Sequence, residues 1–324
     1  MLRTFIGMCG LIVLSFFLRV LPAYATEETA QEQMLRTTRQ ALETLQSYTA
    51  QSLHDALTEG GKGLYCISLQ NKEDYARGHI PGAVRLEMDY ANPQGALRTL
   101  PRDKTIVVTG PDGQSSCQMT VFLRQLGYDA RALLLGMAGW NRGAARSATY
   151  DQDAMLPVTN ATTPLTLGEI PISRPSGLDD SAFILQRTRN YALQGRKASL
   201  TQAEARAMQD EALVVSMQTP EDYAYGHIAG AASLPAAAFI QGSPDLLRLP
   251  RDKKIIVACY IGHYSNIGAM VLNQMGYEAY SLDGGLNGWN KAGLAKLSPM
   301  LQTRPSFPVA KGNTPGSMPT VHTP

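Results

Sequence analysis

One stretch of this chain is written twice. Gln70-Asn71-Lys72-Glu73-Asp74-Tyr75-Ala76-Arg77-Gly78-His79-Ile80-Pro81-Gly82-Ala83 returns as Gln218-Thr219-Pro220-Glu221-Asp222-Tyr223-Ala224-Tyr225-Gly226-His227-Ile228-Ala229-Gly230-Ala231, an offset of 148 residues. Further on, Pro101-Arg102-Asp103-Lys104 returns as Pro250-Arg251-Asp252-Lys253, Leu126-Gly127-Tyr128 as Met275-Gly276-Tyr277, and Gly139-Trp140-Asn141 as Gly288-Trp289-Asn290, all at an offset of 149. One inserted residue explains the change. A tandem duplication with copies of about 115 residues restricts the fold severely, because each copy has the size of one domain and both must solve the same packing problem.

Each copy reads alike. A helical stretch comes first, with apolar residues at helical spacing: Met34, Leu35, Leu42 and Leu45 in one copy, Phe183, Ile184 and Leu193 in the other. A short apolar strand follows at Leu64–Ser68 and at Leu213–Ser216. A second, β-branched strand at Thr105–Val108 and at Ile255–Ala258 runs into a glycine-containing loop and an amphipathic helix ending at Gly127 or Gly276. Strands alternating with helices predict an α/β fold, two domains that are each a doubly wound parallel sheet flanked by helices. The domains are placed at 26–141 and 178–298. Residues 142–177 carry Pro157, Pro164, Pro171 and Pro175 without sustained periodicity and read as a linker. In 299–324 six of 26 residues are proline, so a disordered tail is expected.

Residues 1–25 stand apart. Arg3, an apolar run from Phe5 to Leu18 and the ending Ala23-Tyr24-Ala25 follow the order of a secretory signal peptide, which predicts a mature start at Thr26 and an exported protein, periplasmic or secreted. The run is too short for a bilayer, which takes about 20 apolar residues, and no stable membrane insertion is expected after cleavage. Arg3 and Arg19 account for the formal charge of +2, leaving 27 basic against 27 acidic side chains. A neutral body argues against nucleic acid as a partner.

Cys9 leaves with the leader, and three cysteines remain, Cys66, Cys117 and Cys259. Three thiols cannot all pair within one chain, so at least one stays free even in an oxidising compartment. Cys259 has the position of a reactive one. It ends the strand Ile255–Ala258 and opens the loop Cys259-Tyr260-Ile261-Gly262-His263-Tyr264, with Ser265 expected to cap the next helix. In an open α/β sheet ligands bind at the carboxyl ends of strands. Inward N–H groups and a helix terminus there stabilise an anion, and thiols in such places ionise more readily than the ordinary value near ~8.5 allows. Cys66, inside a strand, and Cys117, in the helix after the first copy's loop, read as separate buried thiols, with a bridge between them as the alternative.

The order GHIxGA, strand, CxxGHxS, helix, DGGxxGW resembles the rhodanese superfamily of sulfurtransferases in its tandem two-domain form. The resemblance implies that Cys259 is the catalytic residue, taking sulfane sulfur as a persulfide from thiosulfate, polysulfide or another persulfide and passing it to a thiol or cyanide. The loop Tyr260, Ile261, Gly262, His263, Tyr264 and Ser265 would hold the outer sulfur, with Gly262 permitting the turn and His263 and Tyr264 as further donors. The first copy has Gly110 where the second has Cys259, and Asp112 adds negative charge beside it. That copy is expected to be inactive and to shape the cleft between domains. Ser68-Leu69-Gln70 and Ser216-Met217-Gln218 stand where the family commonly has Asp and Arg.

His79 and His227 recur in both copies, including the one without a nucleophile, so they are expected to be structural. Asp283-Gly284-Gly285 reads as a turn, and Trp140 and Trp289 as core anchors. A cysteine phosphatase of related fold needs a loop one residue longer, closed by an arginine that clamps phosphoryl oxygens. The stretch Cys259–Asn273 has no Arg or Lys. No common zinc spacing occurs among the histidines and cysteines, so neither metal nor cofactor is expected. The expected partners are a small sulfur donor and a thiol acceptor, a partner protein's thiol included. A rival of another class is a non-catalytic module that binds or relays sulfur for a partner enzyme.

Overall fold

The computed structural model describes residues 27–144, 155–290 and 305–318. The proposed leader and the Ala25–Thr26 cleavage point lie outside the described residues.

The first repeat runs α1 (Ala30–Glu43), β1 (Ser47–Tyr48), α2 (Ala50–Thr58), β2 (Leu64–Ser68), α3 (Lys72–Arg77), β3 (Val84–Arg85), α4 (Gln94–Leu97), β4 (Thr105–Thr109), α5 (Gln114–Gln125), β5 (Ala130–Leu133) and α6 (Gly136–Trp140). A short strand β6 (Val158–Thr159) lies between the repeats. The second runs α7 (Asp180–Ala192), β7 (Ser199–Leu200), α8 (Gln202–Met208), β8 (Leu213–Ser216), α9 (Pro220–Tyr225), β9 (His227–Ile228), β10 (Ala232–Ser233), α10 (Ala236–Ile240), β11 (Lys254–Ala258), α11 (His263–Gln274), β12 (Glu278–Leu282) and α12 (Gly285–Trp289). Both sheets have five strands, all parallel, in the equivalent orders β1-β5-β4-β2-β3 and β7-β12-β11-β8-β10. The β-branched runs Thr105–Thr109 and Lys254–Ala258 are the central strands, buried on both faces as a parallel sheet requires. Helix starts carry side-chain caps at Thr29, Thr49, Asn71, Asp179, Thr201 and Thr219.

The two domains share one core. The inner sheet faces and helices α1, α5, α7 and α11 form a single apolar cluster that includes Phe122, Leu123, Phe183, Ile184, Met270 and Val271. Each outer face has its own cluster, around Trp140 in the first domain and Trp289 in the second. Leu193, expected to be apolar packing, is 62% exposed because α7 ends one residue before it.

The segments read as linker and tail are where structure and expectation differ. Residues 305–315 are ordered across the outer face of the first domain. Trp140 Nε1 donates to Pro308 O at 2.8 Å, Asn141 Nδ2 to Phe307 O at 2.7 Å, and His79 exchanges backbone bonds with Ala310. Residues 155–163 cross the second domain in the same way. Trp289 Nε1 donates to Pro157 O at 3.0 Å, Asn290 Nδ2 to Leu156 O at 2.7 Å, and β6 pairs antiparallel with β9. The straps are crossed: the segment after the first repeat covers the second domain, and the segment after the second repeat covers the first. The tail is therefore not disordered over 305–318. Prolines deny it periodicity of its own, and it takes order from the Trp and Asn donors beneath it.

His79 and His227 hold these straps. Each is fully buried, stacks on a tyrosine (Tyr75 or Tyr223) with ring centroids 3.6 Å apart, and bonds that tyrosine's carbonyl through Nδ1. Each Nε2 lies 3.2 Å from a strap carbonyl, Pro315 O or Ala161 O. A neutral pair stands where the resemblance implies a charged one: Ser68 Oγ donates to Gln70 Oε1 at 2.9 Å while Gln70 Nε2 donates to Gly78 O at 3.0 Å, and Ser216, Gln218 and Gly226 repeat the arrangement.

Candidate active site

Cys259 follows the last residue of β11, the middle strand of its sheet. Gly262 takes φ +89°, in the left-handed region, which turns the chain sharply enough for α11 to start at His263. That start puts the Ser265 N–H in the first helical turn, and it donates to Cys259 Sγ at 3.3 Å. The thiol in turn donates to Ser265 Oγ at 3.5 Å. Ser265 thus does not cap the helix as expected. The cap position belongs to Gly262, and the serine hydroxyl donates to Gly262 O at 3.2 Å and meets Ser281 Oγ at 2.9 Å. The loop is held from behind by α12, whose Leu286 N–H donates to Cys259 O at 2.8 Å and Asn287 N–H to Tyr260 O at 2.9 Å. Gly285 sits where any Cβ would overlap the Cys259 carbonyl oxygen.

Of the other loop residues, Tyr260 turns toward α9, donating to Asp222 Oδ2 at 2.6 Å, and Tyr264 stands 41% exposed at the rim. Ile261 is buried. His263, read as a surface donor, is buried instead, and its Nε2 donates to the carbonyl of Asp112 in the other domain at 3.1 Å. Burial pushes its pKa below the ordinary histidine value, with the Asp112 contact opposing, so the ring is a neutral interdomain tether at physiological pH.

The first repeat's loop meets this one face to face. Gly113 has φ +87°, matching Gly262, and Gln114 stands at the position equivalent to His263. Each of these two side chains packs over the other loop's glycine: a Cβ on Gly113 would come within 2.7 Å of His263 Nε2, and one on Gly262 would overlap the Gln114 amide. Gln114 Nε2 donates to Asp283 Oδ1 at 2.7 Å and to Asp112 Oδ2 at 3.0 Å. Its Oε1 accepts from Gly284 N at 3.1 Å and Asn266 Nδ2 at 3.3 Å. Asn266 also donates to Gly262 O and Ser281 Oγ. Burial raises the Asp283 pKa above the ordinary aspartate value, the Gln114 bond lowers it, and the nearby Asp112 carboxylate raises it. At the far ends of α5 and α11, Gln125 and Gln274 bond each other reciprocally at 2.9 and 3.0 Å. The two helices form a parallel pair about a pseudo-two-fold axis, and their N-termini meet where the two loops face each other.

Gln114, Asp112, Asn266 and Ser281 were not candidates from sequence. Asp283, read only as a turn, is a member of the network. The available signal was the repeat itself, since the offset of 149 pairs Gln114 with His263. The three cysteines of the described chain are free and buried. Cys66 belongs to the outer cluster of the first domain and Cys117 to the shared core, so the sheet separates them and they form no bridge. Burial pushes the Cys66 thiol up to about 12 and raises Cys117 as well. Among the described residues no group of three or more His, Cys, Asp and Glu could hold a metal ion, and no helix is long and apolar enough to cross a membrane.

The Rhodanese-like domain model matches residues 49–142 and again residues 199–292. The chain belongs to the rhodanese-like family. It is similar to the thiosulfate sulfurtransferase GlpE of Stutzerimonas stutzeri strain A1501, with 37% identity over 89 residues that cover 26% of this chain and 78% of the relative. The thiosulfate sulfurtransferase GlpE of Pseudomonas fluorescens strain SBW25 is 37% identical over 99 residues, covering 29% and 85%. A crystal structure of a thiosulfate sulfurtransferase from Pseudomonas aeruginosa matches 79% of this chain and 46% of its own, at 19% identity and a TM-score of 0.30. Within this rhodanese-like pair, only the second domain places a cysteine at the end of its central strand, and that cysteine is 3% exposed.

Proposed function

We propose that this protein is a sulfurtransferase that carries sulfane sulfur on Cys259. The observation that carries the reading is the thiol at the end of β11, seated under the Ser265 N–H on a loop braced by α12 and by Gln114 of the other domain. The names of the similar single-domain relatives, thiosulfate sulfurtransferases, support it. With thiosulfate, the Cys259 sulfur attacks the outer sulfur, a new S–S bond forms, the S–S bond of the donor breaks, and bisulfite leaves with the electron pair and the thiol proton. Cyanide or a thiolate then takes the outer sulfur and the Cys259 thiolate departs, to be reprotonated by water. N–H donors at the sulfur stabilise both the persulfide anion and the departing thiolate. The first domain has Gly110 at this place and serves the second by bracing its loop. Export, with the thiol acceptor a small molecule or a partner protein outside the cytoplasm, belongs to the same proposal.

Mass spectrometry after exposure to thiosulfate and to polysulfide tests it. One sulfur atom added to the Cys259 peptide is the expected result, and Cys259→Ser is expected to abolish transfer to cyanide with the fold retained. Wild-type turnover in that variant would overturn the assignment. The 3% exposure of Cys259 favours one other reading, a relay that opens only on a partner protein. Turnover with a small donor alone decides against it.

A further inference from the structure

A cleft opens beside the first turn of α5, the helix that follows the loop lacking cysteine. It has a volume of about 760 Å³ and is bounded by the carboxyl ends of β2 and β3, the first turn of α5, the end of α7 and the outer side of α11. By the repeat symmetry this is the place that corresponds to the mouth of the Cys259 site, and it is where an open parallel sheet receives ligands. Leu69, Leu86, Met88, Tyr90, Tyr191 and Met270 give it apolar walls. A volume in the range of 300–1,000 Å³ with apolar walls and a few polar groups is that of a small-molecule site.

Its charges decide the class of ligand. Arg85 pairs with Glu87 at 3.3 Å, Lys197 pairs with Glu204, and the Asp89 carboxylate accepts from Ala91 N and Asn92 Nδ2. Lys72 and Arg196 are left without a carboxylate partner among the described residues. Arg196 faces the Tyr280 hydroxyl, but its Nε and Nη1 are buried with no hydrogen-bond partner. A partly buried guanidinium with two unpartnered nitrogens calls for an anionic acceptor.

We propose that this cleft binds a small organic anion with an apolar body, its acid group at Arg196 and Lys72 and its body along Leu86, Tyr90 and Met270. Asn266 lines the cleft and also bonds Gly262 O on the Cys259 loop and Ser281 Oγ on β12, so the ligand would rest against the back of the Cys259 site without touching the sulfur. The proposal goes beyond sulfur transfer and does not depend on it.

Isothermal titration calorimetry of the full chain with octanoate, and with octanol as its neutral counterpart, tests it. Octanoate is expected to bind at one site and octanol at least tenfold more weakly, about the value of one charge-assisted hydrogen bond. Arg196→Gln and Lys72→Gln are each expected to weaken octanoate binding several-fold, Ala192→Trp to block it by filling the cleft wall, and Cys259→Ser to leave it unchanged. Lys72 is exposed, so its variant reads cleanly even if the others fold poorly. Absence of octanoate binding at millimolar concentration, equal binding of octanol, unchanged affinity in Lys72→Gln, or loss of binding in Cys259→Ser would each overturn the proposal.

Discussion

Replacing Gln114 by alanine removes the tie between the two loops. The residue belongs to the domain without a nucleophile, yet its amide makes three bonds into the other domain, to Asp283 Oδ1 at 2.7 Å, from Gly284 N at 3.1 Å and from Asn266 Nδ2 at 3.3 Å. Asn266 keeps its bonds to Gly262 O and Ser281, so little is lost there. The buried Gly284 N–H loses the Gln114 acceptor, at a cost of about 1–3 kcal/mol. The Asp283 bond adds about 1 kcal/mol, below the usual range for a bond to a charged group because the carboxylate is only partly buried and water screens it. The expected loss of about 2–4 kcal/mol lowers Tm by roughly 5–10 °C in a chain of this size. The sign of its pH dependence follows from Asp283. Burial raises that pKa in the folded state, so the group's stabilising contribution is fully present below its unfolded value and falls as pH rises through the folded one. Gln114 lowers the folded pKa, and without it the loss on going to neutral pH is larger. Calorimetric melts of Gln114→Ala and the parent at pH 7 and pH 4 should therefore differ more at pH 7. A Tm within about 1 °C of the parent at pH 7, or a deficit that grows on acidification, would refute the reasoning.

Gln125→Leu takes the donor from Gln274 Oε1, while Gln274 Nε2 keeps Thr188 Oγ1 at 2.9 Å, and should cost about 1–2 kcal/mol; adding Gln274→Leu should recover only part of it, because the buried Thr188 hydroxyl then loses the Gln274 N–H, as urea melts of the single and double variants will show. Deleting residues 305–324 should speed amide exchange around Trp140 and His79 while leaving Trp289 and His227 protected, because the removed strap covers the first domain. Ellman titration of the native protein should label Cys66, Cys117 and Cys259 slowly, since all three are buried, and denaturation without reductant should expose all three as free thiols. Cys66 should also resist alkylation at pH 8 to 9, since burial holds its thiol protonated up to about 12.

The repeat carried most of the fold. Leu64–Ser68 and Leu213–Ser216 are strands β2 and β8 with the bounds read from hydrophobicity, and the β-branched runs are the central strands. Cys259 at a strand end before a glycine loop was legible because strand, turn residue and helix are all local signals. What surrounds that loop was not. Gln114 is an ordinary polar residue at the start of a helix, and nothing near it in sequence shows that a second loop will face it across a pseudo-dyad. His263, read as a donor in its own loop, was missed as an interdomain contact for the same reason. Ser265 was misjudged by three residues of helix start, since a left-handed Gly262 begins the helix earlier than a capping serine would. The tail failed on composition: proline removes periodicity, but a single-layer strap needs only donors beneath it, and Trp140, Asn141 and His79 supply them.

The crossed straps bear on the order in which the protein can be completed as it is made. Synthesis delivers the first domain's helices and sheet early, but the segment that covers its outer face is residues 305–315 of 324. Until those residues have been released, Trp140 Nε1 and Asn141 Nδ2 have no carbonyl to meet and one apolar face of the nascent domain stays open. The second domain has the opposite history, since residues 155–163 emerge before it and wait for it. Arrest of translation before residue 305 therefore injures the half of the molecule that was made first.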